Sequence, residues 1–174
     1  MKKYLLVLLA IALFTTAAFA QQKTGTTTIS LTVGPEAWIS VPSSTPLLNA
    51  GSDFTVDYVG TTAIAYKVRT TTSGSITFKA AEFDVTGGPK IASPVAGDEL
   101  KYTSVVGGTS VGTGVTTAAN VTSTSTDYPV VTFGANASSK KAGDGTTVNW
   151  TLPNDPQYKT GAYSSIVTFT ISAT

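Results

Sequence analysis

Apolar and polar residues alternate with a period of two along most of the chain after residue 25. In residues 26–33, Ile29, Leu31 and Val33 would share one face of an extended strand, while threonine and serine would occupy the other. Period-two alternation between turn residues is typical of antiparallel strands with one buried face, and here it predicts about eight or nine short strands. The later segments with this pattern are residues 37–41, 54–58, 64–68, 76–80, 100–102, 131–133, 148–152 and 163–171.

Turn-forming residues fall between these segments. Gly34-Pro35 separates the first two, Asp144-Gly145 marks a loop, and Thr72-Ser73-Gly74 predicts a tight hairpin. Helical periodicity is absent from the sequence after residue 20. We therefore expect an all-β fold, an immunoglobulin-like antiparallel two-sheet sandwich that forms a single domain over residues 21–174.

Residues 106–127 interrupt this pattern, since they are almost wholly Gly, Thr, Ser, Val and Ala. Low hydrophobicity without charge is compatible with two structures. The segment is either a flexible surface excursion or a weak hairpin built on Val106, Val111 and Val115.

The first 20 residues have the features of a signal peptide. Two lysines precede an apolar run over residues 4–14, and Ala18-Phe19-Ala20 precedes Gln21. A helix over that run would span only about 16 Å, too short for a bilayer core of about 30 Å. We expect cleavage after Ala20, export to the periplasm, cell surface or medium, and no membrane insertion of the mature chain.

Composition excludes several kinds of chemistry. The chain has 11 Lys and Arg and 10 Asp and Glu, and two of the lysines lie in the predicted signal, so the mature chain is nearly neutral. Near neutrality gives no electrostatic basis for binding nucleic acid. Cysteine and histidine are absent, which excludes disulfides, thiolate or imidazole metal ligands and the Ser-His-Asp triad. We predict no cofactor.

The remaining candidates for catalysis are few. Carboxylates come close in sequence in three places, but none has the spacing of a calcium-binding loop, so solvated loop acids are expected. The only Ser-x-x-Lys-like element, Ser138 to Lys141, lies in a polar segment that cannot desolvate a lysine. We therefore predict that the protein is not an enzyme. The three carboxylate pairs are Asp53/Asp57, Glu82/Asp84 and Asp98/Glu99.

Aromatic residues are candidates for a sugar-binding platform. Trp150 shares the apolar face of its strand with Val148 and Leu152, which predicts a place in the core. Trp38 instead lies on the opposite face from Ile39, where it would pack, form an interface or contact a ligand. The full set is Trp38, Tyr128, Trp150, Tyr158 and Tyr163.

Two stretches of the chain resemble one family. A threonine-rich strand leads through Gly34-Pro35 to Ala-Trp-Ile-Ser-Val at residues 37–41, and residues 161–171 read Gly-Ala-Tyr-Ser-Ser-Ile-Val-Thr-Phe-Thr-Ile. The second stretch is similar to the terminal strand of bacterial pilin-type sandwiches, particularly secreted spore coat protein U-like subunits. The resemblance implies an incomplete immunoglobulin-like sandwich. It also implies completion by a neighbour's N-terminal strand, after delivery by a periplasmic chaperone and an outer-membrane usher.

Two functions are therefore expected. The first is a structural, pilin-like surface subunit. Its residues 21–34 would be either a donor strand for a neighbouring copy or the first strand of its own sheet. The side chains that would enter a groove are Ile29, Leu31 and Val33. The alternative is a secreted module that binds a glycan or another ligand through Trp38.

Overall fold

The computed structural model describes residues 26–49, 51, 53–84 and 86–174, and the secondary structure within them consists of β-strands. Thr and Val are abundant in these segments because their branched side chains suit a pleated sheet better than a helix. The strands are β1 (Glu36–Ser40), β2 (Tyr58–Arg69), β3 (Gly74–Ala80), β4 (Leu100–Val106), β5 (Thr113–Gly114), β6 (Ala119–Val121), β7 (Tyr128–Phe133), β8 (Asp144–Leu152) and β9 (Val167–Ala173).

These strands form two antiparallel sheets. The five-stranded sheet has the order β1-β2-β8-β4-β6, and the four-stranded sheet has the order β5-β7-β3-β9. The prediction of an all-β fold with two antiparallel sheets is confirmed. Residues 33–174 make up one compact unit, and the predicted signal at residues 1–20 lies outside the described residues.

The two sheets pack through a cluster of aromatic rings. Phe78 of the four-stranded sheet is fully buried, and its ring centroid lies 4.9 Å from that of Tyr102 and 5.1 Å from that of Trp150, both in the five-stranded sheet. Tyr128 stacks on Phe78 at 5.3 Å from within its own sheet. Burial of these large rings gives the sandwich-like fold its main hydrophobic stabilisation. The core position predicted for Trp150 is confirmed, since only 5% of it is exposed.

The hairpin predicted at residues 72–74 is wrong. β2 ends at Arg69 and β3 begins at Gly74, but the two strands belong to different sheets. Both edges of β2 are already paired, one with β1 and one with β8, so the turn carries the chain across to the other sheet. Thr70 anchors this crossing, because its hydroxyl accepts the Ala137 N–H at 2.9 Å and donates to the Gly134 carbonyl at 2.8 Å.

Two predicted strand boundaries are also wrong. Residues 53–56 form a turn rather than a strand, because the Asp53 carboxylate accepts the N–H of Thr55 at 2.9 Å, and Phe54 is 63% exposed. Tyr163 precedes β9 instead of belonging to it, and its hydroxyl donates to the Lys159 carbonyl at 2.5 Å. Local side-chain hydrogen bonds thus replaced the sheet pairing that alternation alone predicted.

Residues 106–127 contain β5 and β6, which pair with different strands rather than with each other. A buried hydroxyl holds the first part of this segment, because Ser104 Oγ accepts the Val115 N–H at 2.7 Å and donates to the Val130 carbonyl. Val121 fills the core at 0% exposure. The segment therefore contributes to both sheets.

Residues 26–35 lie in no strand, although the alternation over residues 26–33 predicted one. Ile29 is 92% exposed and Leu31 is 84% exposed. Alternation only sorts side chains between two faces, and a strand also needs a partner's backbone. No helix in the part of the chain that the structure describes is long and apolar enough to cross a bilayer.

Candidate functional site

The last strand, β9, forms one edge of the four-stranded sheet. Among the described residues it pairs with β3 alone, in continuous register from Gly74 opposite Ala173 to Ala80 opposite Val167. The pairing is extended at both ends by backbone hydrogen bonds, from Thr174 N–H to the Ser73 carbonyl at 2.9 Å and from Ala81 N–H to the Ile166 carbonyl at 2.8 Å. In the described part of the chain, no strand is paired with the other edge of β9.

The phase of this pairing shows which backbone groups are unpaired. Antiparallel partners alternate between pairs that exchange hydrogen bonds and pairs that do not. Because Ile166 and Thr174 bond toward β3, the residues between them with even numbers do so as well. The residues with odd numbers, which are Val167, Phe169, Ile171 and Ala173, therefore direct their N–H and C=O groups toward the free edge.

The side chains of the same four residues face the core but are only partly buried. On the neighbouring strand β3, by contrast, Ile76 and Phe78 are both 0% exposed. The difference follows from position, because each side chain of β3 has a strand on both sides and each side chain of β9 has one on a single side. We call this edge of β9, with its unpaired backbone groups and its partly buried apolar side chains, the open edge.

β1 lies near the open edge. It is itself the edge strand of the five-stranded sheet, its Cα atoms approach those of β9 within 8 Å, and Ile39 is partly buried against the common core. Hydrogen-bonded strands lie about 4.8 Å apart, so a strand inserted between two others needs roughly twice that spacing. A strand added beside β9 therefore has to displace β1 where the two come closest.

A second feature is a cleft on the outer face of β1 and β2, with a volume of about 310 Å³. Trp38 projects into it from β1, 51% exposed, and pairs across the sheet with Lys67. The outward orientation predicted for Trp38 is confirmed. We call this feature the Trp38 cleft, and the side chains that matter for its chemistry are Trp38, Lys67, Arg69, Ser139, Lys140 and Lys141.

The loop at residues 138–141 completes the Trp38 cleft because it is bonded to β2. Ser139 N–H donates to the Val68 carbonyl at 2.8 Å, and Ser139 Oγ accepts the Val68 N–H at 2.8 Å. This loop contains the Ser-x-x-Lys-like element, and its two ends, Ser138 and Lys141, are both exposed. The arrangement lacks a desolvated lysine that could act as a general base.

Two carboxylates that lie close together in the sequence, Glu82 and Asp84, accept hydrogen bonds from loop residues. Asp84 accepts hydrogen bonds from the Ser164 N–H at 2.8 Å and from its hydroxyl at 2.7 Å, which lowers the pKa of Asp84. Glu82 accepts the N–H groups of Ile91 at 2.6 Å and Ala92 at 2.8 Å. Both side chains therefore act as anchors between loop segments that are distant in sequence.

Asp98 interacts with a carboxylate, that of Asp155, which closeness in the sequence did not predict. Its closest acidic neighbour in the chain is Glu99, but Asp155, which is distant in the sequence, has the larger effect on the pKa of Asp98. Desolvation and this pairing raise the pKa of Asp98, and burial beside the two acids raises the pKa of Tyr158 to about 12. The described residues contain no group of three or more acidic side chains that could hold a metal ion.

Of the other aromatic candidates, Trp150 and Tyr128 are buried in the core, and Tyr158 and Tyr163 are partly buried. The Tyr128 hydroxyl accepts the N–H groups of Thr122 and Ser123, both at 2.8 Å. Tyr128, Trp150 and Tyr163 thus have structural contacts, whereas more than half of Trp38 faces solvent.

Comparisons with protein-family models, with curated proteins and with solved structures found no match to this chain. The inferences below therefore rest on the geometry of the open edge and of the Trp38 cleft.

Proposed function

We propose that the protein is a non-enzymatic, exported structural subunit, pilin-like, whose copies join by strand addition. The observation that carries this proposal is the open edge, where unpaired backbone groups and partly buried apolar side chains belong to the same residues of β9. An added strand would form hydrogen bonds with these backbone groups and would bury these side chains.

The strand order supports an immunoglobulin-like arrangement in which the described residues supply no strand at one position. In that fold, one sheet runs A-B-E-D and the other runs C-F-G. The order β1-β2-β8-β4 corresponds to A-B-E-D, and the pair β3-β9 corresponds to C-F. The G position then lies at the open edge, where no described strand pairs with β9 and where β1 comes near it. The chain departs from the common pattern in that β7 pairs with β3 on its other side.

Residues 26–33 are the segment that we propose as the donor. Ile29, Leu31 and Val33 alternate with hydroxyl-bearing residues, so an extended conformation would present the three apolar side chains to one face. Ile29 and Leu31 are almost fully exposed, which is costly for aliphatic side chains unless a partner covers them. The acceptor is the open edge of a second copy, and a periplasmic chaperone would cover that edge before assembly.

The proposal is tested with residues 21–174 and two variants that place the same charge on opposite faces of the donor. Leu31→Asp puts a carboxylate among the apolar side chains of the open edge, where desolvation costs several kcal/mol. Ser30→Asp places it on the other face and serves as the matched control. We expect size-exclusion chromatography with light scattering to show oligomers for the unmodified chain and for Ser30→Asp, but monomers for Leu31→Asp.

Mixing separates loss of donation from misfolding. A folded Leu31→Asp chain keeps its open edge, so it accepts a strand but donates none. A minor fraction of this variant mixed with the unmodified chain should therefore shorten the oligomers. Equal size distributions for both aspartate variants, or a monomeric unmodified chain that Leu31→Asp only destabilises, would show that residues 26–33 do not join copies.

A further inference from the structure

We propose that the Trp38 cleft is a binding site for an acidic polysaccharide, in which the indole ring stacks on a sugar ring and lysines pair with its carboxylate. This inference goes beyond strand addition, because the cleft lies on the outer face of β1 and β2 whereas the open edge belongs to β9. Because Trp38 belongs to β1, which an added strand would displace in part, the cleft is also tested in Leu31→Asp, which donates no strand.

The first argument is local charge. The cleft contains four basic side chains and one acidic one, although the chain after residue 20 has slightly more acidic than basic residues. Concentration of basic groups in one cleft of a nearly neutral protein creates a local positive potential that favours an anion. The four basic residues are Lys67, Arg69, Lys140 and Lys141.

The second argument is which of these charges are available. Arg69 donates to a Glu36 carboxylate oxygen at 2.9 Å and to the Gly34 carbonyl at 2.6 Å, and Lys140 Nζ lies 4.0 Å from Asp144 and donates to a threonine hydroxyl. Lys67 and Lys141 form no ion pair with any described residue. These two lysines can therefore receive an anionic group without breaking an existing contact.

The third argument is the position of the indole. Trp38 and Lys67 are directly opposite each other on adjacent strands, and both side chains lie on the outer face. Directly opposite residues have Cβ atoms about 4.5–5.5 Å apart, so one ligand can contact both side chains. A half-exposed indole offers a flat apolar surface, and the lysine beside it offers the opposite charge to a carboxylate.

A uronate-containing polysaccharide fits this combination better than other anions. A pyranose ring has an apolar C–H face for the indole, and its carboxylate projects from the ring edge toward the lysines. The volume of about 310 Å³ lies at the lower end of the range of about 300–1,000 Å³ for small-ligand sites. Nucleic acid would require a longer basic track with several stacking rings, and the cleft has a single exposed aromatic residue.

The experiment uses residues 21–174 with oligogalacturonate as the probe and a neutral gluco-oligosaccharide of equal length as its comparison. Binding is followed by calorimetry in all variants and, in those that keep Trp38, also by the change in tryptophan fluorescence, to which Trp150 adds a background. We expect affinity for oligogalacturonate only, about tenfold weaker in Trp38→Ala and in the double variant Lys67→Gln/Lys141→Gln. Trp38→Phe should retain part of the affinity. Lys90→Gln/Lys101→Gln changes the net charge equally at positions outside the cleft and should bind as the unmodified chain does.

Several results would overturn the proposal. One is no binding of oligogalacturonate by the unmodified chain. Another is equal weakening by both lysine pairs, which would indicate attraction to net charge alone. Equally tight binding of a single-stranded oligonucleotide would mean a general polyanion surface instead of a sugar site. Leu31→Asp, which donates no strand, should still bind oligogalacturonate, and the lysine and Trp38 variants made in that background should weaken binding as before, so failure of strand addition would not affect this test.

Discussion

Phe78 and Phe169 provide a matched pair for testing how open the edge of the four-stranded sheet is. They are the same residue type, they are directly opposite each other on β3 and β9, and their ring centroids lie 5.8 Å apart. Phe78 is fully buried among aromatic rings of both sheets, whereas Phe169 is partly buried at the open edge. The loss in the free energy of unfolding when each is truncated to alanine therefore shows how completely each of the two neighbouring side chains is enclosed.

The expected costs differ for a physical reason. Phe78→Ala removes a buried ring and leaves an enclosed cavity, so both the transfer and the cavity terms apply and the free energy of unfolding should fall by about 3–5 kcal/mol. Phe169→Ala opens its space to solvent, so the cavity term is largely absent and the loss should be about 2 kcal/mol. For a domain of this size, Phe78→Ala should lower Tm by roughly 6–20 °C.

Urea unfolding followed by far-UV circular dichroism gives both free energies, and similar slopes would show that the variants change stability rather than the unfolded state. Phe78→Leu is the less severe control and should cost less than Phe78→Ala, because it leaves a smaller cavity. A loss above 3 kcal/mol at both positions would mean that Phe169 is enclosed and that the edge is covered. A loss below 1 kcal/mol for Phe78→Ala would mean that the two sheets do not pack on that ring.

Three further predictions follow from buried polar groups. Thr62 Oγ1 accepts the Trp150 Nε1–H at 2.8 Å, so Thr62→Val should leave a buried donor unpaired and cost about 1–3 kcal/mol in urea unfolding. The Asp144 side chain is fully buried, neither carboxylate oxygen has a hydrogen-bond partner among the described residues, and its one ionic contact there is Lys140 Nζ at 4.0 Å. Asp144→Asn should therefore leave the urea midpoint unchanged or raise it, and a fall would show that the contact with Lys140 outweighs the desolvation of the charge. Burial raises the pKa of Tyr66 and Tyr102 to about 12 from an ordinary 10.0, so between these two pH values only the unfolded state ionises. The free energy of unfolding should therefore be unchanged below pH 10 and fall from pH 10 to 12. Absorbance at 295 nm should show that both tyrosines ionise late in the folded protein.

Strands with strictly alternating side chains were predictable from the sequence. In β8, Val148, Trp150 and Leu152 are buried and the residues between them are partly exposed, as the pattern indicates. β2 extends six residues further toward the N-terminus than the predicted segment at 64–68. The alternation is hidden there because Thr62, a polar residue, takes a core position at 3% exposure by bonding to an indole.

The candidate sites were predictable only in part. Alternation around Trp38 was sufficient to place that residue on the outer face of β1. The loop carrying Lys140 and Lys141 reaches the same cleft through the bridge between Arg69 and Ser138, which are far apart in the chain. Sheet order likewise depends on pairing between distant segments, which explains why the sequence indicated a hairpin where the chain changes sheets.

The composition of β9 bears on what its open edge is for. Edge strands in soluble proteins are usually protected by charged residues, proline, bulges or short length, because an unprotected edge invites pairing with another chain. In this protein β5 and β6 have two and three residues, and β1 begins with Glu36. β9 has seven residues with no charge and no proline, and its outward side chains are threonine and serine. Such a strand combines high β-propensity with low charge, which are the properties that promote aggregation when exposed. A strand of this kind is tolerable when a specific strand covers it, and residues 26–33 have the alternation required to do so.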